Sequence, residues 1–318
     1  MNDCTMEELR HIGMGTVMIH KAYGSNAREA CCAVEAEAER LEAMLSRFRQ
    51  ESIISRINRL AGISKEVIEP EVSEILSHAL EISELSQGLF DVTIGPLVDL
   101  WDYKNAVEPP EEDKIKAILP LINYRDLELN ATDHIAGLKK TGQTIDLGGI
   151  AKGLSSDRFM VLFENYGVKS AFSNIGGNVS TLGSKPDGSA WKVGIRHPRQ
   201  SGLLGAVAVT GKAVVTSGDY ERFFIAKDGR RYHHILNPKT GYPAEAGLIS
   251  VTIVSESAML ADAFSTALFT AGLEAGIDLL KAQPQLQAVI MDDKLTVYVT
   301  HGLKNSFQAA KDINLKYI

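Results

Sequence analysis

Cysteine is nearly missing: the chain holds three, at Cys4, Cys31 and Cys32. An odd, early cluster with two adjacent members in a helical pattern excludes a disulfide framework, and no Cys/His spacing matches a zinc site. Long apolar runs are missing too. None reaches the roughly 18 residues that a membrane-spanning helix needs. The opening MNDCTMEELRHIG lacks a basic stretch followed by an apolar one, so it does not read as a signal peptide. The expectation is a cytoplasmic protein; the alternative is an exported lipoprotein expressed without its leader. No basic run exists, and the net charge of −7 argues against broad nucleic-acid binding. Also absent are G-x-G-x-x-G, a Walker lysine motif and a G-x-S-x-G elbow. What remains is an ordinary globular composition, 45% hydrophobic and 23% charged over 318 residues. That length suffices for one large domain or two small ones.

The most informative stretch is TIDLGGIAKGLSSD, residues 144–157. It predicts a strand over 144–147, a Gly-Gly turn, and a helix from near Ile150. Such a turn lets backbone approach a ligand, and the helix start favours negative charge. Asp146 and Lys152 flank it with a carboxylate and a cation.

In chain order, residues 12–20 read as a strand. Ser25 or Asn26 then caps a long helix whose apolar stripe runs from Ala30 to Phe48. Ser52 opens a short helix. Pro70 starts another, with Gly88 placed as its C′ residue. Residues 88–103 mix β-branched and aromatic side chains; Phe90 and Trp101 are core candidates, while Asp91 needs a partner. EPPEED, 108–113, is a surface turn before a short helix. A strand over 168–175 meets a second Gly-Gly turn. Strands follow at 191–195, 206–209 and 213–216, the last broken by Ser217 and Gly218. Asp228-Gly229 turns a hairpin that leads into the loop 237–243. A buried strand, 248–254, precedes a helix capped by Ser257 and ended by Gly272. A further helix and a hairpin about Asp292-Asp293 complete the chain. Short hairpin-joined strands with grouped helices predict an α+β fold of antiparallel sheets packed with helices.

Chemistry concentrates in three places. Asp262 and Thr266 lie four apart on a nearly apolar helix, so they share a face. A buried carboxylate there must be hydrogen-bonded, paired or metal-bound, and two hard oxygens suit Mg²⁺ or Ca²⁺. His233 and His234 end a strand, so one faces a site while the other packs; a neutral histidine is a candidate general base. Thr216, Ser217, Tyr220, Glu221 and Arg222 form a polar cluster after a strand.

Eight stretches together resemble the ApbE-type FAD:protein FMN transferases. They are MGT at 14–16, SRFRQESIISRIN at 46–58, GLFDVTIGPLVDLW at 88–101, IDLGGIAKG at 145–153, NIGGN at 174–178, TSGDYERFF at 216–224, HHILNPKTGYP at 233–243 and ADAFSTAL at 261–268. They follow the family's order across roughly residues 12–272. One departure is GGN where many members have GGD; another is the missing leader and lipobox, with Cys4 not read as lipidated. The resemblance implies a single T-fold-related domain over 1–318 with its active site in a cleft between two lobes. It implies that FAD is split at its pyrophosphate, AMP leaves, and FMN is joined to a Thr or Ser hydroxyl of an acceptor protein, with Mg²⁺ required. It implies Asp262, Thr266 and the Gly149 carbonyl as metal ligands. Met14, Phe48, Leu89, Phe90, Asp91, Asp146, Lys152, His234 and Ile235 become FAD contacts, and His234 and Asp262 the catalytic pair. The implied partner is a flavin-carrying subunit of a redox complex with a Ser/Thr flavinylation motif. An FAD pyrophosphatase and a non-catalytic FAD-binding protein are the alternatives.

Overall fold

A computed structural model describes residues 5–318, so Cys4 lies outside it. The chain opens with β1 (Met6–Gly13), β2 (Thr16–Tyr23), α1 (Ala27–Leu45) and α2 (Ile53–Arg59). Next come β3 (Glu66–Val67), α3 (Pro70–Leu85), α4 (Gly95–Trp101), α5 (Glu112–Ile118), β4 (Leu127–Asn130), β5 (Ile135–Leu138) and α6 (Ala151–Asn165). Then follow β6 (Ser170–Ile175), β7 (Asn178–Leu182), β8 (Trp191–Arg196), β9 (Leu203–Val209), β10 (Ala213–Gly218), β11 (Phe223–Ile225), β12 (Arg231–His233) and β13 (Leu248–Ser255). The chain continues through α7 (Ala258–Ala271), α8 (Leu273–Ala282), β14 (Gln287–Asp292), β15 (Thr296–Val299), β16 (Phe307–Ala309) and β17 (Asn314–Tyr317).

Nine strands form the central sheet in the order β1-β2-β6-β7-β10-β13-β14-β15-β17. All its pairs are antiparallel except β15–β17. This is the α+β arrangement expected from the sequence. Every residue of β13 is buried, because both faces of the sheet are covered. Side chains alternate across a strand, so Val251 and Ile253 enter the core shared with the helices while Val254 enters the opposite one. A bulge between Leu248 and Ser250 turns Ile249 to that second side. Helices α1, α6 and α7 cover the first face. The small sheet β16-β9-β8 covers the second, with Trp191, Val207 and Phe307 packed against Val289 and Val297. A third apolar cluster joins α4 and α5 to the β11–β12 hairpin, and Trp101 Nε1 donates to the Gly241 carbonyl at 2.7 Å.

Several expectations need correction. Residues 12–20 are not one strand: Met14 and Gly15 form a two-residue hairpin turn at φ 51° and 71°, and Gly13 pairs with Thr16. Residues 144–147 form no strand; Thr144 makes one isolated parallel bridge to Ile94. Helix α1 ends at Leu45, which leaves Phe48 on a turn rather than on its apolar stripe. The left-handed C′ residue after α3 is Gln87, with Gly88 one position beyond. The Gly88 and Gln87 amides bond back to Ser83 and Glu84, a Schellman ending. Strand β10 runs through Ser217 to Gly218 instead of breaking there.

Candidate active site

Asp262 is the meeting point. Ser257 caps α7 by accepting the Leu260 amide at 3.2 Å, and Asp262 follows in the second turn, 4% exposed. Its Oδ2 accepts the Gly153 amide at 3.0 Å, and its Oδ1 accepts Asn178 Nδ2 at 3.0 Å. Lys152 Nζ lies 3.4 Å from each carboxylate oxygen and 3.1 Å from the Gly148 carbonyl. The carboxylate thus sits over the first turn of α6, where unbonded amides and the helix dipole favour negative charge. The helices touch there: a Cβ on Gly153 would come 2.3 Å from the Ala258 carbonyl oxygen. The arrangement is reciprocal. Asp157 of α6 accepts Ala258 N–H at 2.7 Å, Met259 N–H at 3.0 Å and the Ser257 hydroxyl at 2.9 Å at the start of α7. Burial pushes the Asp157 carboxyl above its ordinary range.

Thr266 lies one turn beyond Asp262. Its Oγ1 is 3.4 Å from the Asp262 carbonyl and 3.4 Å from Ser217 Oγ. A Cβ on Gly149 would lie 3.6 Å from the same Oγ1 and 3.1 Å from the Phe90 ring. Gly149, Thr266, Asp262, Lys152 and Phe90 therefore come together. The donors are hard oxygens: the Asp262 carboxylate, the Gly148 carbonyl that shares Lys152 with it, and the Thr266 hydroxyl one turn on. That set fits Mg²⁺, which takes one or two carboxylates and fills its shell with water or phosphate oxygens. The Lys152 ammonium between Asp262 and the Gly148 carbonyl shows that this pocket of oxygens accommodates positive charge. Among the described residues no three His, Cys, Asp or Glu side chains converge, so a cation here relies on neutral oxygens for much of its shell.

The two histidines divide clearly. His233 is buried, its Nε2 lies 3.1 Å from the Ala244 carbonyl, and its Nδ1 accepts the Ile235 amide at 3.2 Å. Both nitrogens are used, so its role is to hold the turn. Half-buried His234 has Nδ1 3.1 Å from the Arg222 carbonyl. A carbonyl can only accept, so the proton is on Nδ1 and Nε2 keeps its lone pair. Burial first, and then the Arg222 charge, push this ring's pKa down to about 3. Tyr103 stands 5.8 Å from it, ring centre to ring centre.

The other candidates fall into two groups. Asp146 belongs to the site's wall: its Oδ1 accepts the Gly148 amide at 2.7 Å and its Oδ2 accepts Arg47 Nη1 at 2.9 Å. Arg47 also pairs with Asp99 and bonds the Gly95 carbonyl at 3.3 Å. Next to it Phe48 is 75% exposed, with the Arg47 and Lys104 cations 5.2 and 5.9 Å from its ring centre. Met14, at the hairpin tip, has its sulfur 3.4 Å from Ser155 Oγ of α6 and its amide on Glu42 at 2.9 Å. Leu89 is half-buried beside Phe90. Asp91 differs. Its Oδ1 accepts the Thr93 amide and hydroxyl at 2.8 and 2.7 Å, and its Oδ2 accepts the Tyr124 amide at 2.9 Å. That carboxylate holds a turn, and Ile235 is buried behind the histidines. Sequence reasoning missed Arg47, Asn178 and Tyr103 as members of the site. Arg47 and Asn178 lay inside quoted motifs, but nothing in the pattern said which carboxylates they would meet.

The ApbE family model matches residues 14–290. The chain belongs to the ApbE family. Among curated relatives, the FAD:protein FMN transferase of Klebsiella pneumoniae (strain 342) is 33% identical over 294 residues, covering 92% of this chain and 90% of that one. The FAD:protein FMN transferase of Treponema pallidum (strain Nichols) is 35% identical over 278 residues, covering 82% and 76%. Among solved ApbE structures, that of the Thermotoga maritima MSB8 protein superposes with a TM-score of 0.84 at 30% identity, covering 96% of this chain and 97% of that one. The apo form of the Pseudomonas stutzeri flavinyl transferase ApbE gives 0.81 at 31% identity, covering 91% and 92%.

Proposed function

We propose that the protein is an FAD:protein FMN transferase, moving FMN from FAD to a Thr or Ser hydroxyl of an acceptor flavoprotein and releasing AMP. The observation that carries this reading is the Asp262 centre: a buried carboxylate, a lysine and a helix start converge on one point, with hydroxyl and carbonyl oxygens beside it. Mere flavin binding does not need that set. Lys152 and the positive end of the α6 dipole hold the anionic pyrophosphate of FAD. Phe48, Phe90, Leu89 and Met14 supply apolar contact for the rings. Mg²⁺, held by Asp262, Thr266 and the Gly149 carbonyl, would neutralise pyrophosphate charge when bound. His234 Nε2 takes the proton of the acceptor hydroxyl. The hydroxyl oxygen then bonds to the flavin-side phosphorus, the bridging P–O bond breaks, and AMP leaves with the bridging oxygen. Positioning and charge neutralisation do most of the work in such a transfer.

The chain acts as one unit with its site in a cleft between the α6–α7 layer and the β11–β12 hairpin. It works in the cytoplasm, and its acceptor is a redox-complex subunit carrying a Ser/Thr motif. Incubation of the protein with FAD, Mg²⁺ and a candidate acceptor, followed by mass spectrometry of the denatured acceptor, tests this. A covalent FMN adduct with equimolar AMP is the expected result. Free FMN and AMP without an adduct would make the protein a pyrophosphatase, and intact FAD would make it a binding protein.

A further inference from the structure

A cavity of about 690 Å³ opens between β8, β9 and the β11–β12 hairpin, away from the Asp262 centre. Arg196, Arg199 and Arg231 line it together with Tyr220 and Phe223, and none of its lining residues is acidic. Asp219 and Glu221 stand just outside the lining, so three guanidinium groups share two carboxylates and the pocket keeps a local excess of positive charge on a chain with 40 acidic and 33 basic residues.

The arginines differ in what they already hold. Arg199 is committed to Asp219 through two parallel hydrogen bonds of 2.7 and 2.5 Å. The Arg196 and Arg231 side chains make no hydrogen bond among the described residues but each has an ion-pair partner: Arg196 pairs with Glu221 at 3.3 Å, and Arg231 pairs loosely with Asp219 at 3.9 Å, a carboxylate that Arg199 already holds. Both instead lie over aromatic rings, Arg196 5.0 Å from the centre of Tyr220 and Arg231 4.3 Å from that of Phe223. Contact with a ring leaves guanidinium N–H groups for a carboxylate, and here those N–H groups are taken only in part, by the exposed Glu221 and by the Asp219 carboxylate that is shared with Arg199. The pocket is joined to the proposed reaction centre. Phe223 pairs with His233 across the hairpin and follows Arg222, whose carbonyl holds His234.

We infer that this pocket binds an acidic segment of the acceptor protein, seating Asp or Glu side chains on Arg196 and Arg231 while the acceptor hydroxyl lies at His234. The inference rests on the transferase reading. That reaction brings a second protein to an enzyme of net charge −7, so a cationic foothold next to the catalytic hairpin gives an acidic segment its register. FAD does not need the pocket, since its phosphates have Lys152 and the α6 start.

The test uses two fluorescein-labelled peptides of equal length around one Thr: one with flanking Asp and Glu residues, the other with Asn and Gln in their place. Anisotropy is read for the wild type and for the Arg196→Gln/Arg231→Gln double variant, which leaves Arg199 and Asp219 intact. The acidic peptide should bind the wild type and weaken about tenfold for each guanidinium removed. The neutral peptide should bind both proteins poorly, and FAD affinity should not change. Equal binding of the two peptides, equal binding to the two proteins, or displacement of the acidic peptide by inorganic phosphate from the wild type and the double variant alike would overturn the inference. AMP release from FAD, measured separately on both proteins, keeps the two readings apart. Normal AMP release with no preference for the acidic peptide sinks the pocket and spares the enzyme. No AMP release by the wild type with Mg²⁺ and acceptor sinks the enzyme reading.

Discussion

His234 keeps Nε2 free because its Nδ1–H is held by the Arg222 carbonyl 3.1 Å away. Its pKa lies at about 3 instead of near 6.5, so the ring stays neutral wherever a free histidine would begin to charge. kcat/KM for FAD should therefore show no acid limb centred near pH 6.5, since that parameter reports groups of the free enzyme. A limb at that value would place the base elsewhere. His234→Gln keeps a similar shape but removes the basic nitrogen; kcat should fall about 10²- to 10³-fold, with FAD affinity by fluorescence titration nearly unchanged. Asn178 offers a second probe. Its amide donates to Asp262 at 3.0 Å, so Asn178→Asp sets two carboxylates against each other unless a cation joins them. The variant should melt below the wild type in EDTA and gain more from added Mg²⁺ than the wild type does. An equal Mg²⁺ gain in both proteins would count against a metal at Asp262.

Helices α6 and α7 cap one another, Asp157 serving the start of α7 and Asp262 the start of α6. Asp157→Ala leaves two amides and a hydroxyl without their acceptor and should cost about 1–3 kcal/mol by urea unfolding. Gly153→Ala should cost about as much or more, because backbone stands 2.3 Å from the added methyl group and cannot rotate away. Wild-type urea midpoints in both variants would show that the helix contact is looser than described. At this scale the sequence was most legible. Ser52 and Ser257 cap their helices with the side-chain bonds expected of them, and Gly272 closes α7. Less legible were features that depend on distant residues. Met14 looks like any strand residue until the turn gives it a positive φ. Residues 144–147 carry a strand pattern but find only Ile94 as a neighbour, and β17 is specified by its parallel pairing with β15. Among the site residues, those with an unusual placement were legible, such as Asp262 in an apolar helix. Arg47 was not, because its partners Asp146 and Asp99 are far off along the chain.

Across the molecule three buried or half-buried histidines share one electrostatic situation. His20 is held at about 3 by burial and by neighbouring His11, His234 lies at about 3, and His233 is also lowered. Each has a folded-state pKa below its unfolded one, so its contribution is full above about 6.5. Below that value the unfolded chain binds protons the native state refuses, and stability falls with pH. Asp91 and Asp157 act the other way, since their raised carboxyl pKa values favour the native state on acidification. Their window lies nearer the ordinary carboxylate range, so the histidines dominate near pH 6. The urea midpoint should drop between pH 7.5 and pH 5.5; a flat or rising midpoint would contradict the histidine assignments.

The tie between α7 and the start of α6 also orders events during synthesis. Met14, Phe48, Phe90, Asp146 and Lys152 all leave the ribosome before Asp262 does, and a unit closes only when all its parts have emerged. A nascent chain can therefore present the side chains proposed to contact the flavin while still lacking the carboxylate at the centre. Strand β10 can pair with β7 as soon as it emerges but gains its second neighbour only with β13, and the α6 start receives its carboxylate only with α7. On the proposed reading, competence comes only with one of the last helices to be made, so a translation product interrupted before α7 lacks the carboxylate at the centre.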